Sequence, residues 1–188
     1  MKQSFYRVFA ATIIAVSVST VARAQAVQNP MVGGHAMMVT KDIVDNAINS
    51  ADHTTLVAAV KAAGLVETLK GKGPFTVFAP TNGAFKLLPD GTVETLLKAE
   101  NKGTLTSVLT YHVVPGRYDA KALMTLIKKG GGMAKLKTAQ GGVLTVMMNG
   151  ARNIQVKDAK GGVANISVYD VYQSNGVILV VDKVLMPS

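Results

Sequence analysis

The sequence predicts an α+β domain in which helices come first and strands second. Three observations carry that expectation. From Ile43 to Lys129 the apolar residues recur every three or four positions, and from Ala134 onward the period falls to two. No strand–helix–strand rhythm runs through the chain, which argues against a doubly wound nucleotide-binding sheet.

The helical half reads in order. Residues 25–38 contain Pro30, Gly33 and Gly34 and are expected to form an extended N-terminal arm. Ile43, Ala47 and Ile48 share the face of a first helix, with Thr40 as its expected cap. Asp52 is the expected cap of a second, whose Leu56, Ala59, Val60 and Ala63 run up to Gly64, a residue free to end a helix left-handed. A helical turn over 65–70 stops at Gly71. Phe75-Thr76-Val77-Phe78-Ala79 is a strand that Pro80 halts, since proline has no N–H for a ladder. Thr81 caps a turn over 82–88, and Pro89-Asp90-Gly91 turns the chain into a helix opened by Thr92. Asn101 opens another, with Leu105, Val108, Leu109 and His112 on one face. Asp119 caps the last, which carries Leu123, Leu126 and Ile127; Lys128 and Lys129 suit its negative end.

The strand half follows. Leu136 and Thr138 precede the Gly141-Gly142 turn, and Leu144, Val146 and Met148 alternate along the next strand. Asn149-Gly150 is a strong hairpin signal, because both residues tolerate positive φ. Ile154 and Val156 return the chain, Gly161-Gly162 turns it again, and Ile166, Val168 and Val171 follow. Val177 to Val181 is apolar on both faces, so this strand is expected to be central.

Composition narrows function. The chain of 188 residues has no Cys, which removes disulfides, thiolate metal sites, a Cys nucleophile and a lipidated Cys. Lys2 and Arg7 precede an uncharged apolar run from Val8 to Ala22, and Ala22-Arg23-Ala24 is a small-x-small cleavage pattern. Residues 1–24 therefore read as a signal peptide, too short in its apolar run to span a bilayer. The expected product is secreted, extracellular or periplasmic, and has no transmembrane segment once the signal is gone. Lys2, Arg7 and Arg23 leave with the signal and no acid does, so the net charge of +9 falls to +6. The excess is concentrated. Lys121, Lys128, Lys129, Lys135, Lys137, Arg152 and Lys157 have no acid between the first and the last. Such a stretch could attract an anionic partner or simply be a solvated basic face. No aromatic residue lies within it to stack bases, so no nucleic-acid partner is expected.

Three segments resemble the fasciclin domain. They are Phe75-Thr76-Val77-Phe78-Ala79-Pro80-Thr81-Asn82 with Ala84-Phe85 and Leu88-Pro89; Tyr111-His112-Val113-Val114-Pro115-Gly116; and Asn175-Gly176-Val177-Ile178 with Val180-Val181-Asp182-Lys183-Val184-Leu185-Met186-Pro187. Gly83 stands where that family often has an acid, and Leu179 where it often has His. The resemblance implies a fasciclin domain over residues 39–188, an antiparallel β wedge with helices packed along one side. It also implies a non-catalytic binding module for cell-surface or matrix adhesion, whose partner is a protein or polysaccharide.

The candidate site residues follow. The resemblance implies cell-attachment roles for Tyr111-His112 and for Asp170-Val171, the latter similar to an Asp-Ile pair of the family. Against this, His112 continues an apolar helix face and Tyr111 suits a core, so both also fit structural roles. Lys128, Lys129, Lys135, Lys137 and Arg152 are the candidate basic surface. Because the implied adhesion resembles protein–protein recognition, attachment is expected to depend only weakly on salt. Met31, His35, Met37 and Met38 supply ligand types suited to Cu(I), although methionines also plug cores, and no metal or other cofactor is expected. No Gly-x-Ser-x-Gly elbow or complete phosphate loop is present, and the eleven acids are dispersed, so a hydrolase is the remotest reading. Asn165-Ile166-Ser167 is a glycosylation sequon inside an expected strand.

Overall fold

The computed structural model describes residues 29–188; the expected signal peptide, residues 1–24, lies outside the described residues. Where the sequence suggested an extended arm, residues 29–38 form a tied hairpin. β1 (Met31–Val32) and β2 (His35–Ala36) pair across Gly33 and Gly34, both at positive φ. A side chain at Gly33 would collide with Ser50 Oγ and the backbone of Ala51, so the hairpin can lie this close only through glycine. Asn29 anchors it: the Tyr172 amide donates to Asn29 Oδ1 at 2.8 Å, and Asn29 Nδ2 donates back to the Tyr172 carbonyl. Val32 and Met37 are buried in the core below.

α1 (Ile43–Ala47) is capped by Asp42 rather than Thr40: Asp42 Oδ1 accepts from the Asp45 amide at 2.8 Å. A 3-10 turn over Ala51–His53 leads into α2 (Thr54–Ala63), which Gly64 ends in the left-handed region. α3 (Val66–Lys70), β3 (Phe75–Pro80) and α4 (Asn82–Lys86) follow, with the Thr81 hydroxyl accepting from the Ala84 amide at 3.2 Å. Asp52 does not cap α2. Asn82 does so from the first turn of α4, accepting from the Thr55 amide at 3.0 Å and donating to the Ala51 carbonyl at 2.9 Å. α5 (Thr92–Leu97), α6 (Lys102–Tyr111), β4 (Val113–Pro115) and α7 (Ala120–Lys129) complete this half, and Asp119 caps α7 through the Ala122 amide at 2.8 Å. The strands β5 (Met133–Lys137), β6 (Val143–Asn149), β7 (Asn153–Lys157), β8 (Val163–Gln173) and β9 (Gly176–Val181) come last.

The large sheet has the order β4-β3-β9-β8-β7-β6-β5. Its ladders are antiparallel except β3–β9, which is parallel from Phe75 opposite Gly176 to Pro80 opposite Val181. That parallel pair departs from the wholly antiparallel expectation. A parallel neighbour requires a long crossover, and everything from α4 to β8 supplies it. The sheet curls until its edges approach, with the Ala139 amide, just past β5, donating to the Val113 carbonyl of β4 at 2.7 Å.

Two cores result. On one face of the central strands, Val77, Ala79, Ile178 and Val180 pack with Val44, Leu56, Val60, Leu105 and Leu109 of the helices. Inside the curl, Phe78, Leu179 and Val181 pack with Leu123, Ile127, Leu144, Val146, Ile154 and Val156. β9 is buried at every residue because it separates the two. Leu179 fills the second core where the family often has His. Among the described residues, no helix is long and apolar enough to cross a membrane.

Candidate functional site

Tyr111 and His112 end α6 between the two cores and are essentially inaccessible, 0% and 2% exposed. The Tyr111 hydroxyl donates to the Val143 carbonyl at 2.8 Å and accepts from the Ala159 amide at 2.9 Å. Burial raises its pKa. His112 Nδ1 lies 2.8 Å from the Val108 carbonyl, which can only accept, and the Leu185 amide donates to Nε2 at 2.9 Å. The proton therefore sits on Nδ1 and the ring is neutral. Burial drives its pKa down to about 4, against weaker opposite effects of the Val108 carbonyl and the Asp158 charge. The pair thus fastens α6 to the β6 and β7 ends and to the C-terminal tail.

Asp170 and Val171 diverge. Val171 is 1% exposed and packs in the helical-side core. Asp170 sits at φ +56° in an irregularity of β8, a conformation Asp tolerates better than most residues. Its Oδ1 accepts from the Ala120 amide at 2.7 Å, so it shares the start of α7 with Asp119. Burial raises its pKa.

The basic residues are spread over three places. Lys128 and Lys129 lie exposed at the C-terminus of α7, and Arg152 in the β6–β7 turn. Lys135 and Lys137 project from β5 on the side away from buried Leu136, and the register puts Lys135, Thr145 and Lys157 in one row across β5, β6 and β7. Two strand spacings separate the row's lysines, about 10 Å. Met133, Val143, Thr145, Met147, Gln155 and Asn165 complete this outer face, which no described element covers. Asp158, next along the chain, points inward, accepting from the Lys160, Gly162 and Met186 amides. Lysines on β5 also shield a sheet edge from pairing with another strand.

The four residues weighed for copper are not gathered. Met31 pairs with Ala36 and His35 with Val32, which places Met31 and His35 on opposite faces of the hairpin. Met37 is buried at 6% and Met38 is half-exposed.

The structure also shows a feature that periodicity did not suggest. A cavity of about 300 Å³ opens between α1, α2 and α3 and reaches down to β3 and β9. Its lining is overwhelmingly carbon, including Val44, Leu56, Val57, Val60, Leu69, Val77 and Ile178. Ser50 and His53 also line it. Ser50 Oγ lies 2.8 Å from His53 Nδ1, but Nε2 is the single buried side-chain nitrogen or oxygen without a hydrogen-bond partner among the described residues. Burial lowers the His53 pKa; the Ala79 carbonyl and the Asp52 charge oppose it without giving Nε2 a properly directed bond. A lone His at the end of a 3-10 turn gives no sign of this in the sequence.

Comparison with known proteins places the fold. The solved structure of a domain pair from the insect cell adhesion molecule Fasciclin I superposes with a TM-score of 0.69 at 19% identity, covering 78% of this chain and 51% of that one. Protein sll1483 of Synechocystis is 47% identical over 147 residues, 77% of this chain and 73% of its own. The cell surface glycolipoprotein MPB83 of Mycobacterium bovis is 35% identical over 168 residues, 86% and 68% respectively. The Fasciclin domain family matches residues 51–187. With the three signature segments forming β3–α4, the α6–β4 junction and β9 with its tail, the chain belongs to the fasciclin domain family.

Proposed function

We propose that this protein is a secreted, non-catalytic binding module that attaches to an anionic cell-surface or matrix partner, protein or polysaccharide. The observation that carries the reading is the uncovered outer face of β5–β7, where Lys135 and Lys157 stand in register beside Lys137 with no acid in their rows. Similarity to a cell surface glycolipoprotein and to a cell adhesion molecule supports attachment as the role. The charged, apolar and small-residue succession of residues 1–24 supports export, with residues 25–38 leading into the domain at 39–188. His112 is held between two backbone groups, which supports a structural role for it.

The sequence alone predicts weak salt dependence, with Tyr111-His112 fitting structural roles as well as contacts and Asp170-Val171 as a candidate contact. With Tyr111, His112 and Val171 enclosed and Asp170 engaged at α7, the lysine face is the stronger contact surface. Retention on anionic polysaccharide and on isolated cell surfaces should then fall steeply between 0.1 M and 1 M salt, as the screening length drops from about 10 Å to about 3 Å. Lys135→Glu/Lys157→Glu should lose most binding at 0.1 M, and Lys128→Glu/Lys129→Glu should lose little. Retention indifferent to salt and to the first double variant would refute the reading. Mass spectrometry of protein from its natural host should find Gln25 at the N-terminus.

A further inference from the structure

We propose that the outer face of β5–β7 binds a linear uronic acid polysaccharide, laid as an extended chain across the strands along the row Lys135–Thr145–Lys157. The partner named here belongs to the same face as the adhesive reading above, and so rests on that reading.

Spacing selects the polymer. Lys135 stands opposite Thr145, and Thr145 opposite Lys157, so the row runs cation, neutral hydroxyl, cation. Two strand spacings, about 10 Å, separate the lysines. A disaccharide unit of an extended β-1,4-linked chain advances by a matching distance, and the twofold turn of such a chain brings every second carboxylate to one side. Two same-sided carboxylates can therefore meet Lys135 and Lys157 while the sugar between them lies over Thr145. Lys137, exposed two residues beyond Lys135 on the same side of β5, adds a cation beside that path.

The surroundings suit a sugar chain. This face is the outside of the curled sheet, so a ligand lies along it and needs no cleft. Exposed Met133 and half-buried Met147, opposite each other in the next row, offer carbon to the C–H faces of sugar rings. Further along that row Gln155 Nε2 donates to Asn165 Oδ1 at 2.9 Å, an exposed amide pair that sugar hydroxyls can join. No carboxylate of the described residues stands in either row. Asp158 points inward, and Asp182, beyond Asn165, is engaged by the Asn165 amide and Nδ2, both at 2.7 Å. A globular protein partner is less well matched. Protein interfaces concentrate aromatic residues and Arg and are depleted in Lys, whereas these rows hold lysines and neither aromatic residues nor Arg. Lys is also a compact, well-hydrated point charge without the fork of Arg, which suits a repeating carboxylate held at a wet surface.

The test titrates ¹⁵N-labelled protein, expressed from its full sequence, with β-1,4-linked mannuronate oligomers of one to six sugars at 0.1 M salt. Amide resonances of Lys135, Thr145 and Lys157 should shift together, and those of Lys128 and Lys129 should stay in place. Affinity should rise at least fivefold from the disaccharide, which presents one carboxylate to each side, to the trisaccharide, which presents two to the same side. In Lys157→Gln that step should shrink to less than twofold, and in Lys128→Gln/Lys129→Gln it should persist. A smooth rise with length and no step, a step that survives Lys157→Gln, or shifts centred elsewhere would overturn the proposal. Polyglutamate and phosphatidylglycerol vesicles separate it from the adhesive reading. Salt-sensitive binding of polyglutamate through Lys135 and Lys157, with no mannuronate binding, would overturn the polysaccharide and leave the adhesive reading standing. Retention on the vesicles alone, or on none of the probes, would overturn both.

Discussion

The Leu185 amide donates to His112 Nε2 across 73 residues of sequence, at 2.9 Å and out of reach of water. One residue on, the Met186 amide donates to Asp158 Oδ2 at 3.0 Å, so the C-terminal tail is held by two side chains from different elements. The middle signature of the family thus fixes the end of the terminal one.

Breaking this arrangement should cost stability. His112→Ala leaves the Leu185 amide and the Val108 carbonyl without their side-chain partner and opens a void, and should lower unfolding free energy by roughly 2–4 kcal/mol. Tyr111→Phe keeps the ring but strands the Ala159 amide, and should cost about 1–3 kcal/mol. Urea titrations read both values. A midpoint within error of wild type for either variant would contradict the structural role.

His112 also makes stability depend on pH. The unfolded chain takes up a proton near pH 6.5, the folded ring only near pH 4. Its contribution is therefore complete above about pH 6.5 and is lost as pH falls toward 4, about 3 kcal/mol in all. His53, lowered by burial, acts in the same direction. The urea midpoint of wild type should drop between pH 7 and pH 4.5, and that drop should be shallower in His112→Gln. Parallel pH profiles would show that the imidazole does not titrate as stated.

Asn82 should matter more than an ordinary turn residue. It satisfies the start of α2 by accepting from the Thr55 amide and donating to the Ala51 carbonyl. Asn82→Ala should cost about 1–2 kcal/mol, whereas Asp52→Ala, at the position that sequence pattern favours, should change stability by less than about 0.5 kcal/mol. Equal costs for the two would contradict the observed cap.

Copper offers a separate check. The hairpin register puts Met31 and His35 on opposite faces and Met37 is in the core. Competitive titration with Cu(I) should therefore find no stoichiometric uptake. Tight one-to-one binding abolished by His35→Ala would mean that the hairpin rearranges around the metal.

Much of the fold was legible because its signals are local. Gly64, Thr81 and Asp119 each act within a few residues of themselves, and the structure has them where periodicity put them; the hairpin at Asn149-Gly150 also forms, but Asn149 stays in β6 and the loop is 150–152, with Gly150 alone at positive φ. What escaped was non-local. Asn82 reaches back 27 residues to cap α2, and β3 chooses β9 as a parallel neighbour. β4 was missed because Val113-Val114 is too short to display a period. The apolar face through Leu105 and Leu109 correctly hinted at a buried His112, but nothing in Tyr111 announces the amide of Ala159. The lysine row became visible only with the β5–β6–β7 register, and the cavity only once three helices were in place around His53.

The parallel β3–β9 ladder has a kinetic consequence. β3 leaves the ribosome early, yet its neighbour is the last strand of this domain, so this central pairing cannot close until nearly the whole domain has emerged. During synthesis the edge of β3 that will meet β9 stays open to chance partners, and Phe78 lacks the later residues that cover it, Leu123 and Leu144 among them. Truncation anywhere before Val181 should therefore yield an aggregating chain rather than a smaller folded one. Acquisition of structure during translation should come late and all at once, at a chain length set by β9.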